Sequence, residues 1–393
     1  MTVTTHDVEA RAARRTSEVA PRPGPMDRVY FLGTWAMMVT GIVFVFSASF
    51  PVAGKPNELM MPGNPYYFLL QHTKYVLISL GAMLLVSLIR PSLLRRAAYP
   101  LAGVALVLLV LTLVEPWSIE LNGARRWINV PGLPAFQPAE LAKLAFIILV
   151  ASVLARKDEV GETDGIAQIT VLLVMCILGA ILLKQPDLGM TMIFVAITLS
   201  MLFFAGMKPL PLVGLTTGLL AAGIAFAHAE PYRWKRIIAF INPEAATSDD
   251  RYHIVNMLIA QARGGVTGTG LGMSPDKWRW LPAAHTDSIF SVVGGELGLL
   301  GAVVILAGVL LLARRALAIG RSARSPFAYY LASGVAAMLA LQSLAHIAVN
   351  TACMPCTGLT LPFISGGGTS LISASIAAGL VLAVSRFENG TDP

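Results

Sequence analysis

Ten long apolar runs recur along this 393-residue chain, near residues 29–50, 67–89, 97–114, 138–155, 166–183, 189–206, 209–228, 288–313, 327–346 and 369–385. A helix that crosses a bilayer needs about 20 such residues, so the runs predict an all-α polytopic membrane protein with about ten transmembrane helices. Length alone would allow two or three soluble domains, but the runs replace that division with one bundle over 29–386. The chain is 55% hydrophobic and 13% charged, against about a quarter charged in soluble domains. Its main solvent is lipid.

The placement of cations sets the orientation. With Arg11, Arg14, Arg15, Arg22 and Arg28 in the cytoplasm, alternating spans also bring Arg90, Arg95, Arg96, Arg156, Lys157 and Lys208 inside, then Arg314, Arg315, Arg321, Arg324 and Arg386. Every short loop then obeys the positive-inside rule. Both termini are expected in the cytoplasm, leaving residues 229–287 as one large outer loop between the seventh and eighth spans. The net charge of +7 reads as topology, and no nucleic-acid partner is expected. Residues 1–28 and 387–393 are polar, and 1–28 are expected to be a disordered cytoplasmic tail. Ser47-Ala48-Ser49 mimics a signal-peptide cleavage site after a stretch too long for one, which favours an uncleaved anchor. Cys176, Cys353 and Cys356 are too few for a disulfide framework, and Cys353-Met354-Pro355-Cys356 has redox spacing without a βαβ setting.

Chemistry is therefore sought outside. Arg233-Trp234-Lys235-Arg236 places three cations on the face that cations usually avoid, either because long loops escape the rule or because a phosphate is clamped there. Residues 251–261 read as a short interfacial helix. Gly265, Gly268, Gly270 and Gly272 after it read as turns ahead of a phosphate cradle. In Leu281-Pro282-Ala283-Ala284-His285-Thr286-Asp287 a carboxylate stands at the outer mouth of the eighth span, where it can cap the helix or do chemistry. Pro186-Asp187 reads as the capped start of the sixth span. Charges inside spans are costly and are kept for packing or function. Glu140 and Lys143, three apart on one helix face, read as an ion pair, and Glu296 needs an internal partner.

Together these motifs resemble the SEDS family (shape, elongation, division and sporulation), the FtsW and RodA type of peptidoglycan glycosyltransferases. The pieces run in order: Gly123-Ala124-Arg125-Arg126-Trp127-Ile128, Phe136-Gln137-Pro138-Ala139-Glu140-Leu141-Ala142-Lys143, Gln185-Pro186-Asp187-Leu188-Gly189, the 281–287 segment, Gly295-Glu296-Leu297-Gly298, and Thr357 through Ser365. The resemblance implies a ten-helix fold in the bacterial cytoplasmic membrane. It implies lipid II, an undecaprenyl diphosphate-linked disaccharide-pentapeptide, as substrate, and a class B penicillin-binding protein transpeptidase as partner beside other divisome or elongasome membrane proteins. Asp287 matches the family's essential acid. Arg125, Lys143 and Glu296 match positions the family treats as important. Gly366 stands where the family has Tyr and Thr369 where it has Ser, while Arg251-Tyr252-His253 replaces Gly-Tyr-Gln and Ser288 replaces Phe. The spacing of Gly272, Ser274 and Lys277 leans toward the division-type branch.

The reading implied is an inverting transfer that makes β-1,4 glycan strands. Asp287 takes the proton of the attacking hydroxyl, and Arg125, Arg126, Arg233 and Arg236, or a divalent cation such as Mg2+ or Mn2+, stabilise the departing diphosphate. Lys143, His285, Glu296 and Ser365 complete the expected substrate site. No cofactor is required by this reading. A lipid II flippase and a scaffold for other envelope proteins are the alternatives.

Overall fold

The computed structural model describes residues 23–53, 64–121, 124–130, 132, 134–161, 164–228, 234, 237–238, 240–241, 248–278 and 280–388. Its helices are α1 (Arg28–Ala53), α2 (Tyr67–Ser87), α3 (Pro91–Arg96), α4 (Ala98–Leu111), α5 (Pro138–Val160), α6 (Asp164–Lys184) and α7 (Leu188–Phe204), then α8 (Pro209–His228), α9 (Ser248–Gly264), α10 (Ile289–Arg321), α11 (Pro326–Asn350) and α12 (Gly368–Phe387). Eight of them are long and apolar enough to cross a membrane, and the shorter apolar helices α4 and α7 fill the two remaining expected runs. The polytopic helical bundle is as expected, with one addition. Ser118–Leu121 (β1) and Ala124–Ile128 (β2) form a two-stranded antiparallel ribbon between α4 and α5.

The ends of the helices follow local chemistry. Pro138 and Pro326 occupy the first turns of α5 and α11, where a missing N–H costs nothing. The Ser325 hydroxyl accepts from Ala328 N, and α5 stops at Gly161, a left-handed position. Around the centre, α5, α11 and α12 bury most of their surface, whereas α8 exposes nearly all of its own. Ser373 of α12 donates to the Glu140 carbonyl of α5 at 2.7 Å, and α12 packs most extensively on α2.

One face of the bundle collects the ends that the charge rule assigns to the cytoplasm. Asp27 pairs with Arg315 at 2.6 Å, and Gly24 N donates to Arg386 O at 2.7 Å. Ser325 N donates to Glu388, Tyr330 donates to Asp158 at 2.8 Å, and Arg95 pairs with Glu159. Residues 24–27, expected in the loose tail, are thus pinned to the ends of α10 and α12. Residues 1–22 and 389–393 lie outside the described residues.

The eighth span differs most from expectation. It is a 33-residue helix, broken at Gly298, whose φ of 66° and ψ of −164° no helix contains. The break would strand backbone groups that a membrane protein must satisfy. The glycine loop after α9 supplies the partners: Thr269 N and Gly270 N donate to Gly295 O and Glu296 O, while Leu299 N and Leu300 N donate to Gly265 O and Val266 O. A β-carbon on Gly268 would lie 2.1 Å from Glu296 O, so the two backbones meet with no room for a side chain. The glycines are indeed turns, and they splice into the broken helix. Helix α9, expected to lie at the interface, buries Ile254, Met257 and Ala260 and packs along α10.

Candidate functional site

Asp287 sits in the loop just before α10, half-buried. The N-cap position of that helix falls on Ser288, not on Asp287, and the Ser288 hydroxyl donates to Pro282 O at 2.8 Å. The N-cap position that the sequence allowed for Asp287 is therefore held by its neighbour, whose side chain makes no capping bond to the helix. Two groups clamp its backbone. Asn350 Nδ2 donates to Asp287 O at 2.9 Å, and Ser365 Oγ donates to Thr286 O at 2.9 Å while accepting from Leu361 N. Gly366 N donates to His285 O at 2.8 Å. The loop 357–366 consequently lies against the Asp287 loop, and a β-carbon on Gly358 would stand 3.8 Å from Asp287 Oδ2.

What holds that pair of loops is a polar stripe on α11. Gln342, His346 and Asn350 recur every four residues, face one way, and are all buried. Gln342 Nε2 donates to Thr360 O at 3.0 Å. His346 Nδ1 donates to Leu359 O at 2.7 Å, leaving Nε2 as the acceptor facing Asn350 Nδ2. Asn350 Oδ1 in turn accepts from Ser291 N and Ser291 Oγ, and Gln261 Nε2 of α9 donates to Asn350 O at 2.6 Å. The sequence reading missed all three residues. Their signal was available, because polar side chains at i, i+4 and i+8 in an apolar span define a buried polar face.

Two buried ion pairs support the site from below. Lys143 lies 2.9 Å from Glu140, as expected, and also donates to Gln342 Oε1 at 2.6 Å, so the pair feeds the α11 stripe. Glu296 finds its partner in Lys277 at 2.7 Å, with Ser47 of α1 bonded to both. Lys277 stands ten residues before Asp287, and Glu296 nine after it on α10. The pair therefore staples both ends of the Asp287 segment to α1. Lys143 and Ser365, expected among the substrate contacts, spend their polar atoms internally, as does Glu296 Oε1, while Glu296 Oε2 is buried without a hydrogen-bond partner among the described residues; none of the three is more than 3% exposed.

The arginines of the ribbon diverge. Arg125 pairs with Glu115 and, across the strands, with Glu120 at 3.2 Å. Those carboxylates hold its guanidinium further into the charged range. A register shift after Ile119 leaves Arg126 as the extra residue, which re-aims its side chain. It donates to the carbonyls of Gln185 and Pro186 and lies 3.6 Å from Asp187. Asp187 caps α7 through Met190 N at 3.1 Å, as the sequence suggested. Burial raises its carboxyl above the usual range against the pull of Arg126. His285 lies against Phe68, ring centroids 4.7 Å apart, and burial lowers its imidazole, which favours the neutral ring.

Arg233 and Arg236 fall outside the described residues. Between them, Trp234 stands edge-on to His228. Cys353 and Cys356 form no disulfide, and Cys356 Sγ lies 3.7 Å from His253 Nδ1. Among the described residues no three His, Cys, Asp or Glu side chains converge as a metal ion requires.

Residues 28–390 match the FtsW/RodA/SpoVE model of cell cycle proteins. A probable peptidoglycan glycosyltransferase FtsW from Halomonas elongata is 39% identical over 380 residues, covering 95% of this chain and 94% of its own length. A protein of the same name from Geobacter metallireducens is 37% identical over 367 residues, covering 93% and 96%. Among solved structures, a chain of a peptidoglycan synthase complex that coordinates polymerization and crosslinking superposes with a TM-score of 0.70 at 27% identity, covering 92% of this chain and 97% of that one. The rod shape determining protein RodA of Thermus thermophilus gives 0.66 at 28% identity, covering 92% and 96%. Matched over nearly all of its membrane region, and sharing more than a third of its residues with relatives of equal length, the chain belongs to the FtsW/RodA/SpoVE family of cell cycle proteins.

Proposed function

We propose that this multi-pass protein of the bacterial cytoplasmic membrane is a peptidoglycan glycosyltransferase that polymerises lipid II at the outer face, with Asp287 as general base. The observation that carries the reading is the investment around one carboxylate. Asn350, Ser365 and Gly366 fix the backbone on either side of it, and two buried ion pairs anchor the segments beneath. A scaffold needs no such pre-positioned carboxylate, whereas a base must be held within hydrogen-bond reach of the proton it takes.

The chemistry balances as one displacement. The acceptor sugar's hydroxyl gives its proton to Asp287 as its oxygen bonds to the donor's anomeric carbon, and the bond from that carbon to the diphosphate oxygen breaks, its electron pair leaving with the diphosphate. Attack opposite the leaving group inverts the centre. Arg125 on the ribbon is a partly exposed cation open to the diphosphate, which must compete with Glu115 and Glu120 for it. Lys143 and Glu296 act as supports for the loops. The partner is a transpeptidase of the class B penicillin-binding type, a reading supported by the likeness to a complex that joins polymerization to crosslinking.

Asp287→Asn keeps shape and removes the base. Glycan polymer made from lipid II by the purified chain with its transpeptidase should fall about 10²- to 10⁴-fold, with the thermal unfolding curve unchanged. Polymer at the wild-type rate would refute the assignment.

A further inference from the structure

On the face opposite Asp287, two concavities of about 500 and 560 Å³ lie side by side and share Ser92 and Arg96 in their walls. The first is bounded by Arg90 and Leu88 at the turn between α2 and α3. The second is bounded by Tyr99 of α4 and by Ser152 and Arg156 of α5. Both fall in the size range of small-ligand sites. The arginines here are not used alike. Arg95 is forked onto Glu159 by two bonds of 2.7 Å, and Arg315 on the same face is taken by Asp27. Among the described residues Arg90, Arg96 and Arg156 have no such partner, and all three open onto the concavities.

The positive-inside rule accounts for arginines on this face but not for their convergence on a hollow. A second observation points to a ligand. Ser152 is 6% exposed, lines the second concavity, and has no hydrogen-bond partner among the described residues. A largely buried serine whose hydroxyl opens, without a partner among the described residues, into a hollow ringed by guanidinium groups is a site for an anion. The flanks identify the kind. Leu88, Leu93 and Tyr99 are each more than half exposed beside the hollow, which gives an apolar wall for acyl chains directly beneath a cationic mouth, with a tyrosine at the level of the headgroups.

We propose that this hollow binds the phosphate of an anionic phospholipid from the cytoplasmic leaflet, with Arg90, Arg96 and Arg156 around the phosphodiester and Ser152 donating to it. Guanidinium groups suit that oxygen geometry better than ammonium groups do, and basic hollows between helices at the cytoplasmic surface are where such headgroups lodge. The site is separate from the Asp287 loops and stands or falls apart from the proposed reaction.

The test uses the full chain in a nonionic detergent, offered equimolar phosphatidylglycerol and phosphatidylethanolamine and read by native mass spectrometry. Phosphatidylglycerol should be retained preferentially. The double variant Arg96→Gln/Arg156→Gln should lose about tenfold or more of that retention, while Arg314→Gln, an exposed arginine away from the hollow, keeps it. Unfolding temperature in lipid-free detergent should be the same for all three, which separates lost binding from lost fold. Equal retention of the two lipids, or equal loss in the Arg314 variant, would overturn the proposal. So would displacement of the bound lipid by soluble glycerol phosphate, or retention of undecaprenyl phosphate in place of phosphatidylglycerol.

Discussion

The two faces of the bundle treat charge in opposite ways. On the Asp287 face, Lys143, Lys277, Glu140 and Glu296 are sealed from solvent and answered at 2.9 Å or less by a partner of opposite sign. On the other face, Arg90, Arg96 and Arg156 stand exposed and, among the described residues, unpaired. A buried ion must recover several kcal/mol of lost hydration from its partner, so each sealed pair is a fixed point whose geometry the fold cannot relax. An exposed arginine keeps its water and costs little. The first face thus uses charge to hold loops still, and the second leaves it available to something outside the protein.

The comparison breaks most readily at Lys277. Lys277→Ala leaves Glu296 charged, fully buried and uncompensated, which should cost about 3–5 kcal/mol, read as a large drop in the unfolding temperature of the detergent-solubilised chain. Lys277→Met with Glu296→Gln removes both charges and should recover most of the loss. Arg96→Ala on the opposite face should change stability by no more than about 0.5 kcal/mol. Equal effects at Lys277 and Arg96 would end the distinction between the faces.

Gly298→Ala tests the splice that joins the glycine loop to the broken helix. The new methyl would stand 2.4 Å from Gly268 N and from Val266 O, both backbone atoms, at a conformation that alone costs about 1–3 kcal/mol for a residue with a side chain. Amide exchange should quicken at Thr269, Gly270, Leu299 and Leu300, whose N–H groups bond across the break. Unchanged protection there would mean that the loop does not depend on the break.

Asn350→Ala should act on rate as well as on fold. It removes the clamp on Asp287 O and the acceptor for Ser291, a cost of about 1–3 kcal/mol for groups left unsatisfied. As a positioning residue, Asn350 should lower kcat for polymerisation about tenfold, on the order of 1.4 kcal/mol in the barrier, with the KM for lipid II little changed. A variant that raised KM alone would place Asn350 in substrate binding instead.

The ten apolar runs made the bundle legible because hydropathy averages over a whole span and needs no tertiary information. The break at Gly298 was not legible for the same reason: one residue's φ leaves no trace in an average, and Gly295-Glu296-Leu297-Gly298 reads as ordinary helix. The Glu140–Lys143 pair was visible because its partners lie three residues apart. Lys277 and Glu296 are separated by nineteen residues and a loop, and a lysine in a loop reads as solvated until the fold buries it. Asp287 stood out at the mouth of a span, but its local sequence suited a helix cap better than a catalyst until the resemblance reversed that preference. The α11 stripe was overlooked although its spacing was in plain view, because Gln, His and Asn carry no formal charge to mark them in an apolar run.

The smallest effect is expected at Glu159, and it sharpens the comparison from the inner side. Its bidentate pair with Arg95 is partly exposed, 31% and 39% for the two side chains, so Glu159→Gln should cost at most about 1 kcal/mol and less at high salt. The same change would release the Arg95 guanidinium, which already lines the second concavity. Stability and lipid retention should therefore move in opposite directions, with slightly weaker folding and stronger binding of phosphatidylglycerol. At Lys277 no such exchange is available, because a cation freed inside the bundle has no solvent or headgroup to meet. If Glu159→Gln weakened both properties together, the inner arginines would be structural after all, and the two faces would differ only in how deeply their charges are buried.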